Sequence, residues 1–251
     1  MFDIALYEGF RGKSGGIISL DCIDSTNAYA VSGSFPAFTV VTAEEQTAGR
    51  GRSGRKWHSA KGLNLYFSIV LNGIEPQKLL PMNIFAGYVL ADTLKDIADV
   101  RIKWPNDMTS GGRKLAGILM ETSFSGGNLE KAVLGIGLNV NIDELPEDIS
   151  QMATSLKILT GRNFVREELL ASFMNNLEAG YDDFITGRIN LVKLWSDYSA
   201  FLDKKISIHK DGVKTQYTER GIDQFGCLKA ENAAGRLETI VTGDIGYDFC
   251  R

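Results

Sequence analysis

Apolar residues recur along the chain with two spacings, every second residue and every third or fourth, and the switches between them outline the elements. Ile17–Ile23 is rich in Ile and Leu and stops at Asp24-Ser25, so it reads as a strand that runs into a helix cap, with Ser25 at the corner. A second strand over 38–43 leads into a glycine-punctuated basic loop, 46–62, and 63–71 returns as an apolar strand. Leu80, Ile84, Tyr88, Ala91, Leu94 and Ala98 keep helical spacing, which predicts an amphipathic helix over 79–100, with Pro81 near its start where a missing N–H is harmless. The spacing then shortens: 101–104 is strand-like, Gly111-Gly112 marks a turn, 115–121 pairs back, and 132–140 follows the turn at 125–128. Leu169, Leu170, Phe173, Leu177 and Tyr181 place a second long helix over 166–184. Beyond Trp195, short alternating stretches at 205–209, 215–221, 227–230 and 237–241 are separated by turns at Asp211-Gly212, Phe225-Gly226 and Ala234-Gly235, the pattern of a small all-β barrel. The expectation is an α+β chain: a mixed, mostly antiparallel sheet with helices on one face over 1–200, then a small β-barrel over 201–251.

Composition narrows the function classes. With 251 residues, 44% of them apolar, the chain can bury a large core. A net charge of −4 argues against a protein whose whole surface binds nucleic acid, so any anion site must be local. Cys22, Cys227 and Cys250 are widely spaced and odd in number, suggesting neither a disulfide framework nor a zinc site, and no metal ligands are assigned. The N-terminus lacks the pattern of a secretory leader and no long apolar run occurs, so a cytoplasmic location without a membrane partner is expected.

Local chemistry concentrates in four stretches. In 46–57, QTAGRGRSGRKW, the cations Arg50, Arg52, Arg55 and Lys56 crowd a loop whose glycines let backbone approach a ligand. Guanidinium forks and backbone N–H groups suit phosphate; composition alone reads the loop equally as a solvated basic segment or a nucleic-acid contact. Ordering it costs roughly 1–2 kcal/mol per residue, on the order of 10 kcal/mol in all, so it is expected to be mobile when empty and to close over nucleotide. In 103–107, KWPND, a strand ends at Trp104 because Pro105 cannot donate, leaving Asn106 and Asp107 in a turn that is either functional or an ordinary Asn-Asp turn. In 112–121, GRKLAGILME, Lys114 opens a strand that Gly117 interrupts; the lysine reads as a ligand contact or an edge charge. In 135–141, GIGLNVN, Asn139 is a polar group in an apolar run and needs partners.

Taken together, Ser25-Thr26-Asn27 and these four motifs, in this order, closely resemble the biotin–protein ligase family of the monofunctional type, strongly over about 17–142. The stretch 220–228 resembles that family's closing SH3-like domain, while Asp244-Ile245 departs from its usual ending. The resemblance implies a biotin/lipoate-ligase-like catalytic domain that activates biotin with ATP to biotinyl-AMP and transfers it to one lysine of a biotin carboxyl carrier domain. By the same resemblance, Ser25, Thr26, Asn27, Gln46, Arg50, Gly51, Arg52, Lys114 and Gly117 contact biotin. Arg50, Arg55, Lys56, Trp57, Asn106 and Asn139 lie on the nucleotide side, and magnesium accompanies the nucleotide. Only 24 residues precede Ser25, too few for the winged-helix domain of some members, so no repressor activity and no DNA partner are expected. A homodimer is left open.

The residue types fit that chemistry. A carboxylate must attack the α-phosphate of ATP, so two anions are brought together while charge builds on phosphorus, and cations are the direct remedy. Lys114 and Arg50 are the expected catalytic residues. Orientation contributes as well, on the order of 7–11 kcal/mol for well-placed reactants. His58 and His209 read as surface residues. A lipoate–protein ligase is the alternative enzyme, disfavoured by the 46–57 loop and KWPND; an RNA- or protein-binding module is the alternative of another class, disfavoured by the acidic balance.

Overall fold

Seven strands, β1 (Ile17–Ile23), β2 (Val40–Gln46), β3 (Leu65–Val70), β4 (Arg101–Lys103), β5 (Asp107–Ser110), β6 (Arg113–Ser125) and β7 (Asn128–Leu138), hydrogen-bond into one sheet in the order β1-β2-β3-β7-β6-β5-β4. The computed structural model that shows this describes residues 1–13, 16–210 and 212–246. β1 and β2 are parallel and the other neighbours antiparallel, so the sheet is mixed and mostly antiparallel as expected. The parallel step needs a crossover, and α2 (Thr26–Ser32) supplies it. Ser25, in extended conformation, starts that helix by accepting the Ala28 N–H on its hydroxyl.

Alternation within the strands divides the sheet into two faces. Val40, Phe67, Ile69, Leu134 and Ile136 face one core, shared with α1 (Ile4–Arg11), α3 (Leu79–Thr93) and α5 (Arg166–Ile185). Val41, Val70 and Val133 face the other way and pack with Ala30 of α2. The long helices therefore cover one face, as expected, and the short crossover helix sits on the other.

Boundaries shift where burial and helicity part company. The apolar spacing read as a helix to 100 outlasts α3, which ends at Thr93; Leu94 remains fully buried in the turns that follow. The spacing reported a buried side of the chain, which turns supply as well as helix does. α1, α4 (Leu156–Thr160) and α6 (Leu191–Tyr198) are further helices that the apolar pattern did not disclose. Asp107 does not share a turn with Asn106 but opens β5, opposite Gly117 of β6.

The C-terminal strands β8 (Lys205–Lys210), β9 (Val213–Ile222), β10 (Leu228–Asn232), β11 (Leu237–Ile240) and β12 (Asp244–Ile245) form a second, antiparallel sheet, ordered β11-β10-β9-β8-β12. The predicted turn at Asp211-Gly212 lies partly, and Cys250 wholly, outside the described residues; Cys22 and Cys227 are free thiols. Two fully buried indoles join this sheet to the rest: Trp104 Nε1 donates to Gly226 O at 3.0 Å, and Trp195 Nε1 to Glu219 Oε1 at 2.8 Å.

Glu219 lies at that seam with no solvent contact. Its Oε1 also accepts from Ser199 Oγ at 2.5 Å, while Oε2 is buried without a hydrogen-bond partner. Burial disfavours the charged form and pushes the carboxyl up to about 7, only partly offset by the two donors. An acid whose pKa rises on folding stabilises the fold below its unfolded value, and that contribution fades as pH climbs through about 7. Glu219→Gln, which keeps the acceptor, should therefore match the parent near pH 4 and exceed it near pH 8 by about 3 kcal/mol. Denaturant melts at the two pH values check this.

Candidate functional site

The site lies on the α2 face, and glycine makes the room for it. In β7, Leu134, Ile136 and Leu138 point into the core, so the alternate positions Gly135 and Gly137 point at α2 and the 46–62 loop. Gly137 stands opposite Gly117 of β6, and Gly135 opposite Leu119. A methyl group at Gly135 would come within 2.2 Å of Asn27 Oδ1, and one at Gly137 within 2.4 Å of the Trp57 ring. The three glycines form a floor on which Asn27 and the Trp57 indole rest.

Polar groups at the start of α2 are fixed by neighbours from three strands. Gln46 Oε1 accepts from the Thr26 N–H at 2.9 Å and lies 3.1 Å from its hydroxyl, while Gln46 Nε2 reaches Ser59 Oγ at 3.2 Å. Asn27 donates to Leu119 O at 3.2 Å, and the buried Ser68 hydroxyl sits 2.6 Å from Asn27 Oδ1 and 2.8 Å from Thr26 Oγ1. Ser25, Thr26 and Asn27 are all buried. Orientation fixed in this way reduces what a ligand must order.

The basic loop folds back on itself above the floor. Gly51 N–H donates to Arg55 O at 2.7 Å and Trp57 N–H to Gly49 O at 2.9 Å, which brings Arg50 beside Lys56. Arg50 reaches Glu121 of β6 at 3.2 Å, and the other oxygen of Glu121 is buried without a hydrogen-bond partner. Arg52 and Arg55 pair with Asp244 of the C-terminal sheet.

Lys114 Nζ stands 5.2 Å from the Trp57 ring centroid, within cation–π range, and 2.5 Å from Asp107 Oδ1. The other Asp107 oxygen is 3.1 Å from Lys103 Nζ, which is buried. Desolvation pulls the Lys103 pKa below the ordinary lysine value, against the pull of Asp107 in the other direction. One carboxylate thus sits between two ammonium groups, one buried and one facing the site.

The resulting cavity measures about 120 Å³ and is lined by Ser25, Thr26, Asn27, Gln46, Lys114, Gly117, Asn106 and the loop residues Arg50, Gly51, Arg52, Arg55, Lys56 and Trp57. Every residue expected at the site lines it except Asn139, whose amide donates to Thr154 O at 2.9 Å and pins the segment that follows β7. Asn106 does both: it lines the cavity and donates to Ile118 O at 2.7 Å. His58 and His209 are exposed, as expected.

Several participants escaped the motif reading. Asp107 reads locally as a turn residue, although its place four residues after Lys103 and in register with β6 makes it the carboxylate partner of Lys114. Gly135 and Gly137 were legible from their alternation with Ile136 and Leu138. Ser68 and Asp244 carried no local signal. Among the described residues no group of three or more His, Cys, Asp or Glu could hold a metal ion, and no helix is long and apolar enough to cross a membrane.

Over most of its length the chain is similar to known ligases. Residues 19–139 match the family model described as Biotin/lipoate A/B protein ligase family. The bifunctional ligase/repressor BirA of Escherichia coli is 33% identical over 223 residues, covering 86% of this chain and 70% of that protein. The biotin–[acetyl-CoA-carboxylase] ligase of Paracoccus denitrificans is 32% identical, covering 85% of this chain and 93% of that one. Among solved structures, the biotin protein ligase of Aquifex aeolicus in complex with biotin and ATP superposes with a TM-score of 0.80 at 29% identity, over 92% of this chain and 97% of that chain.

Proposed function

Because the chain belongs to the biotin/lipoate A/B protein ligase family, we propose that it is a biotin–[acetyl-CoA-carboxylase] ligase that makes biotinyl-5'-AMP from biotin and ATP and passes the biotinyl group to a lysine of a biotin carboxyl carrier domain. The observation that carries this reading is the single cavity in which the loop cations and Lys114 face a floor of strand glycines. In the first step the biotin carboxylate attacks the α-phosphorus and pyrophosphate leaves. In the second the acceptor amine attacks the acyl carbon of the mixed anhydride and AMP leaves.

Ser25, Thr26, Asn27, Gln46, Gly51, Arg52 and Gly117 form the biotin side. Arg55, Lys56, Trp57 and Asn106 form the nucleotide side, with Arg50 and Lys114 between the two. Asn139 contributes by holding the segment through Thr154. Lys114, kept in place by Asp107, neutralises the attacking carboxylate, and Arg50 turns from Glu121 to the phosphates as charge develops there. Magnesium would accompany the nucleotide and add positive charge at its phosphates. Residues 1–200 act as the catalytic domain and 201–251 as the SH3-like one. Among the described residues β6 pairs with β5 only through 113–117, so its outer half offers an edge to which a carrier domain or a second copy adds a strand.

A streptavidin blot of a purified carrier domain, incubated with the chain, biotin, ATP and magnesium, tests the reading. One acceptor lysine should be labelled only with ATP, and labelling should fall roughly 100-fold or more in Lys114→Ala and in Arg50→Ala. Transfer of lipoate in place of biotin would move the substrate assignment; transfer of neither would end the adenylate mechanism.

A further inference from the structure

The glycine-rich loop has little of its own to hold it down. Ser53, Gly54, Arg55 and Lys56 are exposed, and Ser53 and Gly54 both adopt positive φ, a conformation that costs a non-glycine residue such as Ser53. The chain must still be ordered there if its cations are to face the cavity.

What it reaches is a carboxylate from the other end of the molecule. Asp244 Oδ1 lies 3.0 Å from Arg52 Nη1 and Oδ2 lies 2.8 Å from Arg55 Nη2, so each oxygen takes one guanidinium. Arg52 Nη1 also donates to Gly243 O at 3.3 Å, and Arg55 Nε to Arg52 O at 3.1 Å, which ties the two arginines to each other. Asp244 is itself well placed to anchor them. Its backbone lies opposite His209 of β8, Ile245 beside it is buried, and the Gly246 N–H donates to Ser207 O. Arg52 lines the cavity, whereas Asp244 does not.

We propose that Asp244 is a positioning residue for adenylate formation: the C-terminal sheet uses it to preorganise the loop over the site, acting through Arg52 and Arg55. The inference rests on the ligase reading for its kinetic consequence and on geometry alone for its structural one. Holding the loop in advance removes part of the ordering cost from ligand binding, so its loss appears in apparent affinity. A carboxylate that only quenched the two cations would have the opposite effect, because freeing them would tighten nucleotide binding.

Asp244→Asn, Asp244→Glu and the parent chain should be compared in two assays. In limited trypsin digestion without ligands, cleavage after Arg52 and Arg55 should be at least about fivefold faster in Asp244→Asn and return toward the parent rate in Asp244→Glu. In steady-state biotin transfer, the apparent KM for ATP should rise about tenfold in Asp244→Asn while kcat changes less than about threefold. An unchanged cleavage rate, a KM that falls, or a loss confined to kcat would each overturn the proposal. Faster cleavage in Asp244→Asn, with no transfer even by the parent chain, would uphold the loop anchor and defeat the ligase reading.

Discussion

Asp107→Ala should cost both the fold and the reaction. The substitution removes the carboxylate shared by Lys103 Nζ at 3.1 Å and Lys114 Nζ at 2.5 Å, leaving two ammonium groups beside each other, one of them 3% exposed. Breaking a buried ion pair by deleting one partner costs about 3–5 kcal/mol, which for a chain of this size lowers Tm by roughly 10 °C. Biotin transfer should fall by roughly 100-fold or more, because Lys114 loses the group that aims it. Asp107→Asn separates the two effects, since the amide keeps the shape of the side chain and one acceptor oxygen while removing the charge; it should melt closer to the parent yet recover little transfer.

The same substitution makes a signed pH prediction. Lys103 already has a pKa below the ordinary lysine value because it is desolvated, and the pull of Asp107 opposes that shift. Without the carboxylate the shift deepens. A base whose pKa drops on folding leaves the unfolded chain with more bound protons, so stability rises with pH. The Tm deficit of Asp107→Ala should accordingly shrink as pH is raised and Lys103 sheds its proton. A deficit that stays constant as pH rises would mean that the titration of Lys103 does not carry the effect.

Gly137→Ala should do the reverse, sparing the fold and removing the activity. The new methyl would lie 2.4 Å from Cε2 and 2.6 Å from Nε1 of Trp57. β7 is held between β3 and β6, so the strand does not yield and the indole must lift. Trp57 belongs to a loop and is only half-buried, and moving it costs the core little, within about 1 kcal/mol. The displacement carries Lys56 with it and strains the Trp57 N–H to Gly49 O bond. A misplacement of about 1 Å at a reacting site costs on the order of 100-fold, so transfer should drop by that much at nearly unchanged Tm. Retained transfer would show that the indole does not need the glycine floor.

These cases also show what a sequence discloses. Gly135 and Gly137 were readable because strand alternation is strict: with Ile136 and Leu138 committed to the core, both glycines had to face the site. The arginines and Lys114 were readable from charge set among glycines. The β5–β6 register that brings Asp107 to Lys114 was not, since Pro105 suggested a turn and pairing across a sheet leaves no mark in local composition. Ser68 and Asp244 are far in sequence from the groups they touch. Asn139 reads as a polar residue in need of a partner, and its amide donates to the Thr154 carbonyl.

The chain's three tryptophans occupy two kinds of place. Trp104 and Trp195 are fully buried and donate their indole N–H groups across the seam to the C-terminal sheet, whereas Trp57 rests on the cavity floor, its N–H buried without a partner. Intrinsic emission is thereby sorted by location. Light from the seam pair reports whether the two sheets remain docked, and light from the third reports on the occupancy of the floor. The molecule carries separate optical reporters of its assembly and of its chemistry without an added label.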